Sequence, residues 1–299
     1  MNAPKIIFAA ALWLLMIAAY VDAGADALHL TLNDQITPAS AEVIDSAIAR
    51  AERDNATALI IRLNTPGGLE SSMREIVSRI ISSRVPVIVY VAPSGARAAS
   101  AGFVILISAD VAAMAPGTET GAAHPVLIGG GETSKTMEEK IVNDAAAFVR
   151  SLAEKRNRDP QAAESTIRES RSFTDREALN NHLIEIIARD EWDLLAQLNG
   201  RAVTRFDGSR KILQTSDEKL TPIILTFRQR LLMWLADPRV AFVLFAIGLL
   251  CVYFEFQHPG LVAPGVFGAL AMILALYGFH MLPINVTGLL LIAVALALF

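Results

Sequence analysis

The feature that most constrains this chain is its end: from 256 to 299 there is no Asp, Glu, Lys or Arg. A charge-free stretch of that length cannot form the surface of a soluble domain. A bilayer core takes about 20 apolar residues per helix, and three spans are predicted, at 239–256, 260–281 and 283–299. Ahead of them, 220–234 is apolar but carries Arg228 and Arg230, the pattern of an amphipathic helix lying in the membrane interface. The opening is apolar too. Lys5 precedes a run from Ile6 to Tyr20 and then small residues, the make-up of a secretory signal peptide. Ala23-Gly24-Ala25 and Ala25-Asp26-Ala27 are alternative cleavage sites, and an uncleaved anchor helix is the other reading. Either places the body across the membrane. Arg228, Arg230 and Arg239 then fall on the outer side, against the positive-inside trend, and the leader is given the greater weight.

The expected organisation is a signal peptide at 1–25, a soluble domain at 26–218, an interfacial helix at 219–237 and membrane helices at 238–299. Composition excludes several classes of function. The net charge is −4, and no basic stripe interleaves with aromatics, so nucleic acid is not an expected partner. The single cysteine, Cys251, lies in the apolar tail, which rules out a disulfide within the chain. No histidine pair has metal-ligand spacing, so neither metal nor cofactor is expected.

The body alternates strand and helix. Residues 28–32 alternate around His29 as a short strand. Thr37-Pro38 opens a helix to about Arg53, with Ala41, Ile44, Ala47 and Ile48 at helical spacing. An apolar run at 58–63 ends in Asn64-Thr65-Pro66-Gly67-Gly68, a strong turn signal. A helix at 69–83 buries Met73, Ile76, Val77 and Ile80. Residues 86–91 are near-continuously apolar, as strands of parallel sheets are. Small residues around Ser100 lead into an apolar helix. A strand at 110–114, a loop at 116–124, a long helix at 136–157, a helix from Thr174 with Glu177 at capping-box spacing and a late strand at 184–188 follow. The pattern is an α/β domain of stacked βαβ units.

Three features converge on acyl transfer. Gly67 and Gly68 close a strand and open a helix, where backbone N–H groups and the helix dipole can hold an oxyanion. Ser100, in Ala99-Ser100-Ala101-Gly102, stands at a helix start among small residues, exposed enough to approach a carbonyl, with the Ala101 N–H beside it. Helix capping is the ordinary alternative for such a serine. The base is open between two residues. Lys140 lies at the margin of the apolar stripe of the long helix; burial would have to strip it of water for it to act, and an exposed pairing with Asp144 is the bland alternative. His124 is the rival, with Asp175 as its acidic orienter. The glycine-rich loop at 126–134 is a candidate lid.

The runs Asn64-Thr65-Pro66-Gly67-Gly68, Gly95-Ala96-Arg97-Ala98-Ala99-Ser100-Ala101-Gly102, Ala113-Met114-Ala115-Pro116-Gly117-Thr118 and Tyr253-Phe254-Glu255-Phe256-Gln257-His258-Pro259-Gly260 together resemble the NfeD-like membrane-bound serine proteases of the ClpP class, over about residues 28–299. The resemblance implies a ClpP/crotonase-type α/β core followed by membrane spans. It implies a Ser–Lys dyad on Ser100 and Lys140, with oxyanion donors at Gly68 (or Gly67) and Ala101. It further implies a homodimer that cuts hydrophobic segments of stomatin-like membrane partners. His124 stands near the place of the histidine in ClpP itself, which keeps the base open. Two other readings remain: a non-catalytic membrane scaffold on the same core, with Ser100 as a helix cap, and acyl-CoA chemistry, which export and the lack of a phosphate-holding basic cluster oppose.

Overall fold

The computed structural model describes residues 26–126, 134–215, 219–258 and 262–280. The expected signal peptide, most of the candidate lid and the third expected span lie outside these residues. The chain runs β1 (Ala27–Leu32), α1 (Pro38–Arg53), β2 (Leu59–Leu63), α2 (Glu70–Ser82), β3 (Val87–Val91), β4 (Arg97–Ala99), α3 (Ala101–Ser108), β5 (Val111–Met114) and β6 (Glu119–Gly121). Then come α4 (Lys135–Lys155), α5 (Pro160–Arg168), β7 (Ser172–Thr174), α6 (Asp175–Asn180), β8 (Ile186–Ile187), α7 (Glu191–Leu198), β9 (Ala202–Thr204), β10 (Arg210–Ile212) and β11 (Leu220–Pro222). Three helices close the described chain: α8 (Phe227–Leu235), α9 (Pro238–Gln257) and α10 (Ala263–His280).

The main sheet is parallel throughout, in the order β11-β1-β2-β3-β5-β8. Alternate side chains of its strands enter two separate cores. Leu28, Leu30, Ile61, Val89 and Met114 pack under α1 to α5. Ile60, Ile88, Tyr90 and Ala113 face the other way, onto Leu194, Leu195 and Leu198 of α7. Both faces are covered, which is why the strands read as apolar runs. The α/β core of stacked βαβ units predicted from the sequence is present.

Local signals set the helix ends. Thr37 caps α1 in a reciprocal box with Ser40, and Pro38 holds the first helical position, where its missing N–H costs nothing. Thr174 and Glu177 form the predicted capping box. Three elements differ from the sequence reading. Residues 220–222 are not helical but add a strand to β1, with Leu220 opposite Ala27; Pro222 is tolerated because this is a sheet edge. The helix expected at 219–237 therefore begins only at Phe227. The expected loop at 116–124 contains β6, which joins β4 and β7 in a three-stranded sheet. Residues 160–168 form α5, capped by Asp159.

Helix α9, with 20 residues, is long and apolar enough to cross a bilayer. It packs on α10 through small residues: a Cβ on Gly268 would lie 2.7 Å from the Gly248 carbonyl oxygen, the close approach typical of membrane helix pairs. Glu255 turns back to accept hydrogen bonds from the N–H groups of Val262 (3.0 Å) and Gly265 (3.3 Å), satisfying donors at the start of α10.

Candidate active site

Ser100 stands alone between β4 and α3, with φ 54° and ψ −118°. A serine at positive φ costs on the order of 1–3 kcal/mol and persists only where the surroundings over-determine it. Here they do. Its N–H donates to the Gly121 carbonyl (2.8 Å), and its own carbonyl accepts from Phe103 N–H (3.0 Å). Although Ser100 occupies the capping place of α3, its hydroxyl caps nothing. Capping therefore does not account for this serine.

The Asn64–Gly68 turn is bonded to the strand β4 that leads into the serine. Thr65 N–H donates to the Arg97 carbonyl (2.7 Å), and Ala99 N–H donates to Thr65 (3.1 Å). On its far side, Ile36 N–H donates to the Gly67 carbonyl and Leu69 N–H to the Ile36 carbonyl, both at 2.8 Å. Two glycines are required for this approach. Gly67 has φ +117°, and a Cβ there would lie 2.7 Å from Ser100 Cβ; on Gly68 it would lie 2.1 Å from the Ile36 oxygen.

These bonds also sort the candidate oxyanion donors. Gly67 N–H is already committed to Thr65 Oγ1 at 3.1 Å, so Gly67 holds the turn and gives room to Ser100 without a free donor. The bridge to Ile36 uses the groups on either side of Gly68 and leaves the Gly68 N–H unspent. Ala101 is the first residue of α3, where the helix offers its N–H no acceptor. Gly68, Ser100 and Ala101 all line one groove of about 280 Å³. Its walls are apolar: Met73 from α2, Val104 from α3, Phe148 and Val149 from α4, and Ile167 from α5.

Two charged residues of α2, Glu70 and Arg74, line the groove. The guanidinium of Arg74, on α2, donates to Glu70 (2.8 Å) and to Asp144 of α4 (2.5 Å), and lies 4.5 Å from the centre of the Phe148 ring. Arg74 therefore latches α2 to α4. Sequence reasoning missed it; the only local trace is the Glu70–Arg74 pair at helical spacing.

The candidate bases stand differently. Lys140 is exposed on the first half of α4 and is not among the residues lining the groove. Ala145, which does line it, lies five residues on, about 7.5 Å along the helix axis. The side chains buried by α4 begin at Ala146, so the turn bearing Lys140 has little holding it. Its bland alternative fails too: the carboxylate of Asp144 goes to Arg74, and no ion pair joins it to Lys140 among the described residues. His124 is half-buried, with Nδ1 2.8 Å from the Ile167 carbonyl. Its neighbours Ala123 and Pro125 line the groove, while His124 does not. Asp175 does not orient it, since its Oδ1 accepts the Gly117 N–H at 3.2 Å. The structure thus unites Ser100, Gly68 and Ala101 and leaves both bases outside the groove.

Comparison with known proteins identifies the family. The family model described as the NfeD1b N-terminal domain matches residues 27–195, and the NfeD integral membrane domain matches 239–299. The chain is 38% identical over 271 residues to the membrane-bound protease PH1510 of Pyrococcus horikoshii, covering 90% of this chain and 61% of that one. It therefore spans about three fifths of that relative's length. Two solved structures are similar. A serine-to-alanine mutant of the 1510-N membrane-bound stomatin-specific protease has TM-score 0.63 and 36% identity, over 67% of this chain and 99% of that one. A lysine-to-alanine mutant of the same protease, in complex with a substrate peptide, has TM-score 0.66 and 35% identity, over 72% and 99%. With its soluble domain and its membrane region both matched, the chain belongs to the NfeD family.

Proposed function

We propose that this chain is a membrane-anchored serine peptidase with Ser100 as nucleophile. The observation that carries the reading is a serine hydroxyl without a structural task, held at a strained strand-to-helix turn beside two unspent N–H groups. Ser100 Oγ attacks the carbonyl carbon of the scissile peptide bond, and its proton passes to the amine of Lys140. The oxyanion forms between the N–H groups of Gly68 and Ala101. The C–N bond then breaks as Lys140 returns the proton to the leaving amine, and water releases the acyl group by the reverse path. Lys140 is assigned over His124 because mutants of both a serine and a lysine exist among the solved relatives.

The exposed position of Lys140 fits a site completed by substrate. An apolar segment filling the groove would displace water and draw the first half of α4 inward, which leaves the amine neutral and in reach. The apolar walls favour hydrophobic sequences. A stomatin-like membrane protein is the proposed partner, since the solved relatives act on stomatin. The signal peptide, a multi-pass anchor, a catalytic domain on the extracytoplasmic side and a homodimer complete the proposal.

The test is turnover of an apolar peptide by the detergent-solubilised chain. Ser100→Ala is expected to abolish cleavage with the fold intact, and Lys140→Ala to come close to it. Unchanged cleavage by Ser100→Ala ends the reading; full activity of Lys140→Ala with loss in His124→Ala reassigns the base.

A further inference from the structure

The starts of the parallel strands, at the pole opposite Ser100, carry a second polar constellation. Asp110, at the start of β5, is fully buried at its carboxylate. One oxygen accepts Arg156 Nη1 at 2.7 Å, and the other accepts Val87 N–H at 2.8 Å and also pairs with Arg205. Arg158 pairs with Glu185 at 2.7 Å. Around these lies a cavity of about 200 Å³ lined by Lys155, Arg156, Asn157, Arg201 and Thr204 together with Asp110 and Glu185. Three basic side chains of the lining, Lys155, Arg156 and Arg201, therefore face two acidic ones, which Arg158 and Arg205 already pair. Among the described residues Lys155 and Arg201 enter no ion pair, and the buried Arg156 Nη2 has no hydrogen-bond partner, its guanidinium lying 5.3 Å from the centre of the Phe206 ring.

An orphaned guanidinium nitrogen in a 2% exposed side chain is costly, because a buried donor left unmade forfeits its hydration. Burial, with the cations of Arg158 and Arg205 nearby, holds the Arg156 guanidinium below its ordinary pKa against the pull of Asp110. Surplus positive charge, an unspent donor and a polar cavity call for an oxyanion; the sequence shows no phosphate-holding basic cluster because Arg201 joins Lys155 and Arg156 only in the fold.

We propose that this cavity, lined by Arg156, Arg201, Lys155, Asn157 and Thr204, binds a small phosphate-type anion at a site distinct from the groove of Ser100. The chain passes from the far end of β11 into α8 and the membrane helices, so the cavity lies at the pole away from the bilayer. That placement assigns a soluble anion in preference to a lipid headgroup. Bound there, the anion ties the β9–β10 hairpin to the end of α4.

The experiment is thermal unfolding of the full chain in neutral detergent, titrated with inorganic phosphate at constant ionic strength. A saturable rise of about 2–4 °C is expected. The double variant Lys155→Gln/Arg201→Gln, which leaves the Asp110 pairs intact, is expected to lose at least ten-fold in apparent affinity. Arg201→Gln alone should show a partial loss and serves if the double variant does not fold. A rise reproduced by chloride, a rise of equal size and midpoint in the variants, or no rise overturns the proposal. Transfer to vesicles with and without phosphatidylglycerol separates the two sources: the phosphate response is expected to be the same in both, and its loss on anionic vesicles would assign the site to lipid and overturn the soluble-anion assignment.

Discussion

The two sides of the proposed catalytic groove are built to different standards. On the serine side, the Asn64–Gly68 turn and β4 are tied by backbone hydrogen bonds in both directions, Ser100 is bonded to Gly121, and Gly67 and Gly68 have no room for a side chain. On the lysine side, Lys140 rides an exposed stretch of α4, and only the partly buried Val142 and Ala145 and the exposed Arg74–Asp144 pair follow it before the helix is buried at Ala146. The difference teaches a division of labour. Oxyanion stabilisation depends on preorganisation and gains nothing from motion. A lysine base is neutral only when dry, so its best moment to arrive is with the substrate.

Four substitutions and one titration break or sharpen this comparison. The largest effect is expected at Ser100→Ala: peptide turnover falls by at least ~10³-fold, while the melting temperature is unchanged within error, because the hydroxyl makes no cap and no hydrogen bond among the described residues. Lys140→Ala should lower turnover by roughly 10²–10⁴-fold and leave stability within about 0.5 kcal/mol, as for other exposed positions. A large loss of stability there would contradict the loose picture of that side. Gly68→Ala should differ from Lys140→Ala in stability, costing about 1–3 kcal/mol in a denaturant melt through overpacking on Ile36, with turnover also reduced as the turn shifts. Arg74→Ala removes the latch. Both of its ion pairs are partly exposed, so about 1 kcal/mol or less of stability is at stake, and KM should rise more than kcat falls.

The smallest effect is a pH dependence far from the groove. The Arg79 guanidinium, with burial opposing it and the Arg84 N–H and charge assisting, holds the Glu52 carboxyl below the usual carboxylate range. A depressed folded value means that its stabilisation is fully present above the unfolded pKa of roughly 4.3 and is lost as pH falls through the folded value. Melting temperature measured from neutrality into this acid range should fall less steeply in Glu52→Gln than in the wild type.

Much of this architecture is legible in the residues. The strands β1, β2, β3 and β5 are apolar because both faces of the sheet are covered, and the capped helices announce their starts through Thr37-Pro38 and the Thr174–Glu177 box. The small residues around Ser100 are readable for the same physical reason that they are needed: the turn, β4 and α3 approach too closely for anything larger. What escapes is tertiary. The strands β4, β6 and β7 have three residues each, too few for a period to emerge. β11 reads as the beginning of an apolar helix because only the open edge of β1 makes it a strand. The Arg74–Asp144 latch joins residues far apart in the chain, and the commitment of the Gly67 N–H to Thr65 Oγ1 depends on a side-chain rotamer that no pattern encodes.

The central claim is chemical: Ser100 carries the acyl group during turnover. Its most direct test is to incubate the chain with an apolar peptide p-nitrophenyl ester, quench in acid and locate the added acyl mass by peptide mapping. The account predicts the adduct on the fragment containing Ser100, absent in Ser100→Ala. Steady turnover with the adduct on another residue, or with an undiminished adduct in Ser100→Ala, would contradict it.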